Sequence, residues 1–242
     1  MRLSLQNVSL TLGGVSIIEN ISIELEQGEV VGLLGPNGAG KTSTFNLFIG
    51  LLRPHSGSVL LDSQRIDNFS IPRRARLGIG YLPQEPSVFR SLTVRQNLDI
   101  ALDQSLLSKP LARLRKEELI EEFNLNKFVD RAGYQLSGGE RRRCEIARAL
   151  AVGSTGPKYL LLDEPFAGVD PLAVSDLQTL IQKLRKRGVG ILITDHNVRE
   201  TLAITDRSYI LSEGKILSSG ISTEVANDEL VRANYLGEGF QL

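Results

Sequence analysis

Gly35-Pro36-Asn37-Gly38-Ala39-Gly40-Lys41-Thr42 is the stretch on which the reading of this chain turns. It fits the phosphate-binding loop pattern G-x-x-x-x-G-K-[ST], and its surroundings agree with that reading. Residues 30–34, Val-Val-Gly-Leu-Leu, make a short continuous apolar run that predicts a buried strand, and residues 42–52 suit a helix. The chemistry follows from the residue types. Glycines let successive backbone N–H groups turn toward phosphate oxygens, and the helix start presents its positive end. Lys41 can reach the β and γ phosphates and Thr42 can ligate Mg²⁺, with Ser43 next in line. The loop predicts a nucleoside triphosphate site.

On the N-terminal side, residues 3–34 read as short strands. Leu3, Leu5 and Val8 recur in the first, Gly13-Gly14 interrupts, and Ile21, Ile23 and Leu25 alternate in the second, which predicts an antiparallel edge layer. On the C-terminal side, residues 92–155 change character. Charged, helix-favouring segments such as 113–123 and 140–151 dominate there. Strand signals return at 159–162 and 190–194, separated by a predicted helix over 172–187, and residues 209–217 resemble a hairpin turning at Glu213-Gly214. The expected fold is α/β: a P-loop NTPase core with an antiparallel β edge layer and an inserted helical subdomain. Residues 1–83 and 157–242 are assigned to the core and 84–156 to the insertion.

A chain of 242 residues, 41% hydrophobic, can bury a substantial core. Its 28 basic residues balance its 28 acidic ones, so no general attraction to nucleic acid is expected. Cys144 is the only cysteine, so no internal disulfide forms and a reducing compartment is the natural setting. The first residues alternate apolar and polar instead of forming an apolar secretion signal, and the apolar runs fall short of the ~20 residues that span a bilayer. The expected location is cytoplasmic, with membrane contact only through partners.

Two further segments carry chemistry. The apolar run at 159–162 ends in Asp163 and Glu164, which places two carboxylates at a strand's carboxyl edge, where open α/β sheets bind ligands. Taken alone, the pair equally describes a solvated strand end. Beside a phosphate loop, Asp163 can hold Mg²⁺ directly or through water, and Glu164 can orient the attacking water. Ser137-Gly138-Gly139-Glu140 precedes a helical run and is either an ordinary N-cap or a second cluster of backbone donors.

Together the phosphate loop, Gln84, the Ser137-Gly138-Gly139 segment, Asp163-Glu164, Asp170 and His196 resemble the ordered motif set of ABC transporter nucleotide-binding domains, over essentially the whole chain. The resemblance implies ATP and Mg²⁺ as ligands and Glu164 as catalytic base. It also implies that His196 contacts the γ-phosphate and that Gln84 touches Mg²⁺ and senses the membrane partner. Asp170 would communicate across a dimer. In this family Ser137, Gly138 and Gly139 of one copy close over the ATP held by Lys41 of another, so a lone chain should hydrolyse poorly. Where many relatives stack an aromatic residue on adenine, Leu12 aligns here, followed by Gly13 and Gly14. Weak discrimination of ATP from GTP is the expected consequence.

Residues 81–90, 164–171, 194–202 and 235–242 bring the likeness closer to the ATPases of lipopolysaccharide exporters. That likeness implies two transmembrane transporter subunits as partners and a place on the cytoplasmic face of the inner membrane. Phe89 and Arg90 would line the groove for a helix of each membrane subunit, and the C-terminal tail would contribute dimer contacts. The rivals are the ATPase of a branched-chain amino acid importer, against which residues 194–202 argue, and a non-transport ATP-driven clamp. Clamps usually carry a duplicated phosphate loop or a long coiled coil, and neither is visible here.

Overall fold

Strand β3 (Val30–Leu34) is buried at all five positions, because it runs through the middle of a sheet covered on both faces. The computed structural model describes residues 1–152, 156–237, 239, 240 and 242. Residues 153–155, at the expected end of the helical insertion, and Glu238 and Gln241 of the tail lie outside the described residues.

Before β3 come β1 (Arg2–Leu12) and β2 (Val15–Glu26). After it come α1 (Lys41–Ile49), β4 (Ser56–Leu61), β5 (Gln64–Arg65), α2 (Ile71–Arg76) and β6 (Ile79–Leu82). Then α3 (Val94–Asp103), α4 (Lys109–Glu122) and α5 (Gly138–Ala149) follow one another without a strand of the two sheets among the described residues. The alternating part resumes with β7 (Tyr159–Asp163), α6 (Pro171–Lys186), β8 (Gly190–Thr194), α7 (Val198–Leu202), β9 (Arg207–Ser212) and β10 (Lys215–Ile221). Short helices α8 (Ser222–Val225) and α9 (Glu229–Val231) lead into a π-helical turn, Arg232–Leu236.

One sheet has six strands in the order β10-β9-β3-β8-β7-β6, parallel except for β10; the other is antiparallel, β2-β1-β4-β5. The pleat divides the parallel strands between two cores. Val31, Leu33, Leu161 and Leu192 pack with Phe45 and Phe48 of α1 and with Leu3, Leu5, Ile21 and Ile23 of the antiparallel sheet. Val30, Leu160, Leu162, Ile191 and Ile193 face the helices α3 to α6. Cys144 is buried in that second core, and burial pushes its thiol up to about 12, which makes it inert at neutral pH.

The α/β architecture with an antiparallel layer is as expected, but three strands, β4, β5 and β6, are additions to the sequence reading. β4 carries its apolar residues only at its end and exists because β1 pairs with it, Leu5 opposite Val59. β6 is four residues long and pairs in parallel with β7, far away in sequence. The helix expected to reach residue 52 stops at Ile49. Gly50 takes a left-handed conformation, φ 85°, and its N–H caps Asn46 O. The tail residues Tyr235, Leu236 and Phe240 pack on Leu34, Leu202 and Ile210 of the same chain.

Candidate active site

The phosphate loop joins β3 to α1, and two of its glycines are forced by close approach. A Cβ on Gly35, at φ 148°, would lie 2.0 Å from Leu211 O; one on Gly40, at φ 104°, would lie 2.7 Å from Ile18 Cδ1. Gly38, at φ 80°, meets nothing within 4 Å and leaves its backbone open to a ligand. Lys41 arches over the loop, Nζ donating to Gly35 O at 2.7 Å and Pro36 O at 2.9 Å. Burial lowers the Lys41 pKa, opposed by the charges of Glu164 and Asp163.

A cavity of about 430 Å³ is lined by Asn37, Gly38, Gly40, Lys41, Thr42 and Ser43 on one side and by Gln84, Asp163, Glu164 and His196 on the other. Ile17 completes the wall. Gly35, Pro36 and Ala39 shape the loop without lining it; Ala39 is buried beneath, its N–H 3.3 Å from Pro36 O. The residues present suit Mg²⁺. Hard oxygens of Thr42 and Asp163, with the Gln84 amide, converge on one cavity, and such an ion takes one or two carboxylates and completes its shell with phosphates and water.

Asp163 is buried and accepts from Tyr81 Oη at 3.3 Å. Burial, then the charge of Glu164, raises its pKa to about 6, opposed by Tyr81, Arg142 and Lys41. Glu164 lies one residue beyond β7 with φ 51°, a left-handed conformation that costs a non-glycine residue roughly 1–3 kcal/mol. Its N–H donates to Thr194 O at 2.8 Å. Its carboxylate is gripped from both sides, by Gln84 Nε2 at 2.9 Å on Oε2 and by His196 Nε2 at 2.9 Å on Oε1. His196 itself stays open to the cavity, its side chain 58% exposed. In this arrangement Gln84 spends its amide donor on Glu164.

The other expected half of the site lies elsewhere. Ser137, Gly138 and Gly139 begin α5, where Ser137 and Glu140 form a reciprocal capping box, Glu140 N to Ser137 Oγ 3.3 Å and Ser137 N to Glu140 Oε2 2.9 Å. The cap uses Ser137 Oγ as an acceptor and leaves its proton for another oxygen. Ser137, Gly139 and Asp170 line a separate, open cavity with Leu172, which is 77% exposed. Asp170 also caps α6, accepting from Ala173 N at 3.0 Å. Phe89 is no core aromatic: it is 42% exposed with the Arg148 guanidinium 4.6 Å from its ring centre, and Arg90 beside it is exposed. Leu12 ends β1, exposed.

The sequence profile described as ABC transporter matches residues 18–167. The chain belongs to the ABC transporter family. It is 51% identical to the lipopolysaccharide export system ATP-binding protein LptB of Acidithiobacillus ferridurans, covering 93% of this chain and 92% of that protein. It is 49% identical to the protein of the same name from Escherichia coli (strain K12), covering 99% of each. Among solved structures, a nucleotide-free ATP-binding cassette of an ABC transporter superposes with a TM-score of 0.87 at 27% identity, covering 98% of this chain and all of that one. A dimeric bacterial ABC transporter cassette superposes at 0.79 and 25% identity, covering 92% and 99%. This ABC ATPase thus binds nucleotide and hydrolyses ATP to drive transport, on the P-loop NTPase fold. Among its described residues no helix is long and apolar enough to cross a membrane.

Several residues of the ABC ATPase site escaped the sequence reading. Ile17 is one, although the adjacent apolar pair Ile17-Ile18 breaks the alternation of β2 and so signals that both faces are covered. Asp195 is another: its carboxylate accepts from Phe166 N at 2.8 Å and Asn197 N at 2.9 Å, stapling the segment after Glu164 to the turn that carries His196. Tyr235 reaches the Gly35 backbone from the C-terminal turn. Tyr81 and Tyr235 open two of the stretches that carry the likeness to lipopolysaccharide exporters, but neither was read as a site residue, and only the fold brings them near the loop.

Proposed function

We propose that two copies of this chain sandwich two ATP molecules head to tail, each site pairing Lys41 of one copy with Ser137, Gly138 and Gly139 of the other. The carrying observation is that within one chain Lys41 lines one cavity while Ser137 and Gly139, on either side of Gly138, line another. The donor cluster at the start of α5 therefore needs a phosphate from outside its own chain, and a related cassette is described as dimeric. Asp170, beside the cap, and the exposed Leu172 would lie at the joint.

Glu164 accepts a hydrogen bond from the attacking water and orients it. His196 and Gln84, which hold Glu164 here, turn to the γ-phosphate and the metal side when nucleotide fills the cavity. Thr42 and Asp163, with Gln84 at hand, would hold Mg²⁺, which would supply neutralisation of phosphate charge. Closure on binding and opening after hydrolysis move the partners. We assign 1–83 and 157–242 to the core and 84–156 to a helical subdomain that moves with the cap.

The partners are two transmembrane subunits, received at Phe89 and Arg90, and the cargo is lipopolysaccharide. This reading rests on relatives at 49–51% identity named for lipopolysaccharide export. The chain would then sit on the cytoplasmic face of the inner membrane. The test is Glu164→Gln with Mg²⁺ and ATP in size-exclusion light scattering: a trapped dimer with turnover abolished is expected. A strictly monomeric sample, or wild-type turnover, would overturn the proposal. Co-purification from native membranes distinguishes lipid-export from amino-acid-import partners.

A further inference from the structure

Arg142 has a purpose that the site as described so far does not use. It lies on α5, five residues after Ser137, and is 5% exposed. A guanidinium has five N–H donors in a rigid fork, and here all five have acceptors. Nε donates to Pro165 O at 3.1 Å; one terminal nitrogen donates to Pro83 O at 3.3 Å and Glu145 Oε2 at 3.2 Å; the other donates to Asp163 O at 3.2 Å and to Glu164 O. Three consecutive carbonyls, 163 to 165, are thus gathered on one side chain. They bracket the residue whose φ of 51° is unfavourable for any side chain but is needed to aim the Glu164 carboxylate into the cavity. With its N–H on Thr194 O and its C=O on Arg142, the Glu164 main chain is pinned at both polar groups.

The charge of Arg142 is balanced by Glu145, 2% exposed and one turn further along α5. A buried ion pair adds little net stability by itself, so its geometric work matters more. The second oxygen of Glu145 accepts from Ser87 N at 2.7 Å and Val88 N at 3.2 Å, the residues leading into Phe89. Asn97 of α3 holds the next peptide, accepting from Phe89 N at 2.8 Å and donating to Phe89 O at 3.1 Å.

We propose that Arg142 is a positioning residue for ATP hydrolysis: it holds the Glu164 backbone in its left-handed conformation and, through Glu145, ties that conformation to the segment 87–89 at the partner groove. The inference rests on the reading of Glu164 as the residue that orients water. Because Arg142 and Ser137 share one helix, the cap offered to a neighbouring copy's ATP and the geometry of this chain's own Glu164 move together.

The test uses Arg142→Lys and Glu145→Gln in the full chain, with Glu164→Gln in parallel. Lysine keeps the charge but has three donors on one atom, which cannot span carbonyls 163 to 165 and Pro83. For Arg142→Lys, kcat should fall at least ~10-fold while KM and the Kd for ATP, read by displacement of a fluorescent nucleotide, stay within about twofold. Glu145→Gln should show a smaller fall of the same kind, and it decides the matter if Arg142→Lys does not fold. Retained kcat, or nucleotide affinity falling in step with kcat as for a general packing defect, overturns the proposal. Wild-type turnover by Glu164→Gln would remove the reading beneath it, and the parallel variant separates that failure from a failure of Arg142 alone.

Discussion

Tyr81→Phe isolates one hydrogen bond at the metal side of the site. Tyr81 Oη donates to Asp163 Oδ2 at 3.3 Å, the ring packs at 6.5 Å from Phe45, and burial raises the phenol's own pKa, so Tyr81 stays a donor at every usable pH. Hydrogen bonds to a charged group contribute roughly 1.5–3 kcal/mol, and at this length the lower end applies. Dividing by ~1.4 kcal/mol per pKa unit, loss of the hydroxyl moves Asp163 up by about one unit from its starting value of about 6. The sign matters. A carboxyl whose pKa is raised in the folded state favours the fold while protonated. The nucleotide-free protein therefore loses about 3 kcal/mol from this group as pH rises from ~4 through ~6, and Mg²⁺ recovers it by pairing with the ionised form.

Hydrolysis needs that ionised form, so its acid limb at low Mg²⁺ should sit near pH 6 in the wild type and about one unit higher in Tyr81→Phe. Raising Mg²⁺ should move both limbs down and close the gap, since the ion competes with the proton. The assay is initial-rate ATP hydrolysis from pH 5 to 8 at saturating ATP and two Mg²⁺ concentrations. Coincident acid limbs at low Mg²⁺ would refute the reasoning, as would a gap that Mg²⁺ leaves untouched.

Arg74→Met should cost about 3–5 kcal/mol, because the buried Arg74 guanidinium donates to the carbonyls of Leu47, Phe48, Ile66, Asp67 and Phe69, two of them at the end of the helix that follows the phosphate loop. Thermal unfolding would then drop by roughly 6–20 °C, and a shift under ~2 °C would contradict that accounting. Phe89→Ala should weaken transport-coupled hydrolysis with the membrane partners more than hydrolysis by the isolated subunit; equal losses in both assays would argue against the groove. These tests touch separate parts of the molecule, so their effects should be close to additive in combination.

Much of the site is local in sequence. The phosphate loop, its strand and its helix occupy one continuous segment, although the steric need for glycine at 35 and 40 comes from Leu211 and Ile18, which only the fold brings against the loop. Asp163-Glu164 is legible because a strand of five buried residues must end where its ligands bind. The capping box at Ser137 is equally local, with Glu140 three residues on. β4 and β6 were not legible, since the apolar part of each is only three or four residues long and each depends on a partner strand far along the chain.

Arg142 and Glu145 show the limit most plainly. Three residues apart in a charged helix, they have the pattern of a solvated pair on a surface, and nothing in residues 138–149 says that this face turns inward. What the sequence by itself determined was the order of the motifs, and with it a nucleotide site of ABC type, because each motif makes its backbone donors or carboxylates from neighbouring residues. The tertiary structure alone decided which groups hold those motifs in place: the grip of Gln84 and His196 on Glu164, the Tyr81 bond to Asp163, and the burial of Arg142 under three carbonyls. Those contacts join residues 21 to 82 positions apart, and Coulomb and hydrogen-bond energies depend on distance in space, which the chain sets only by folding.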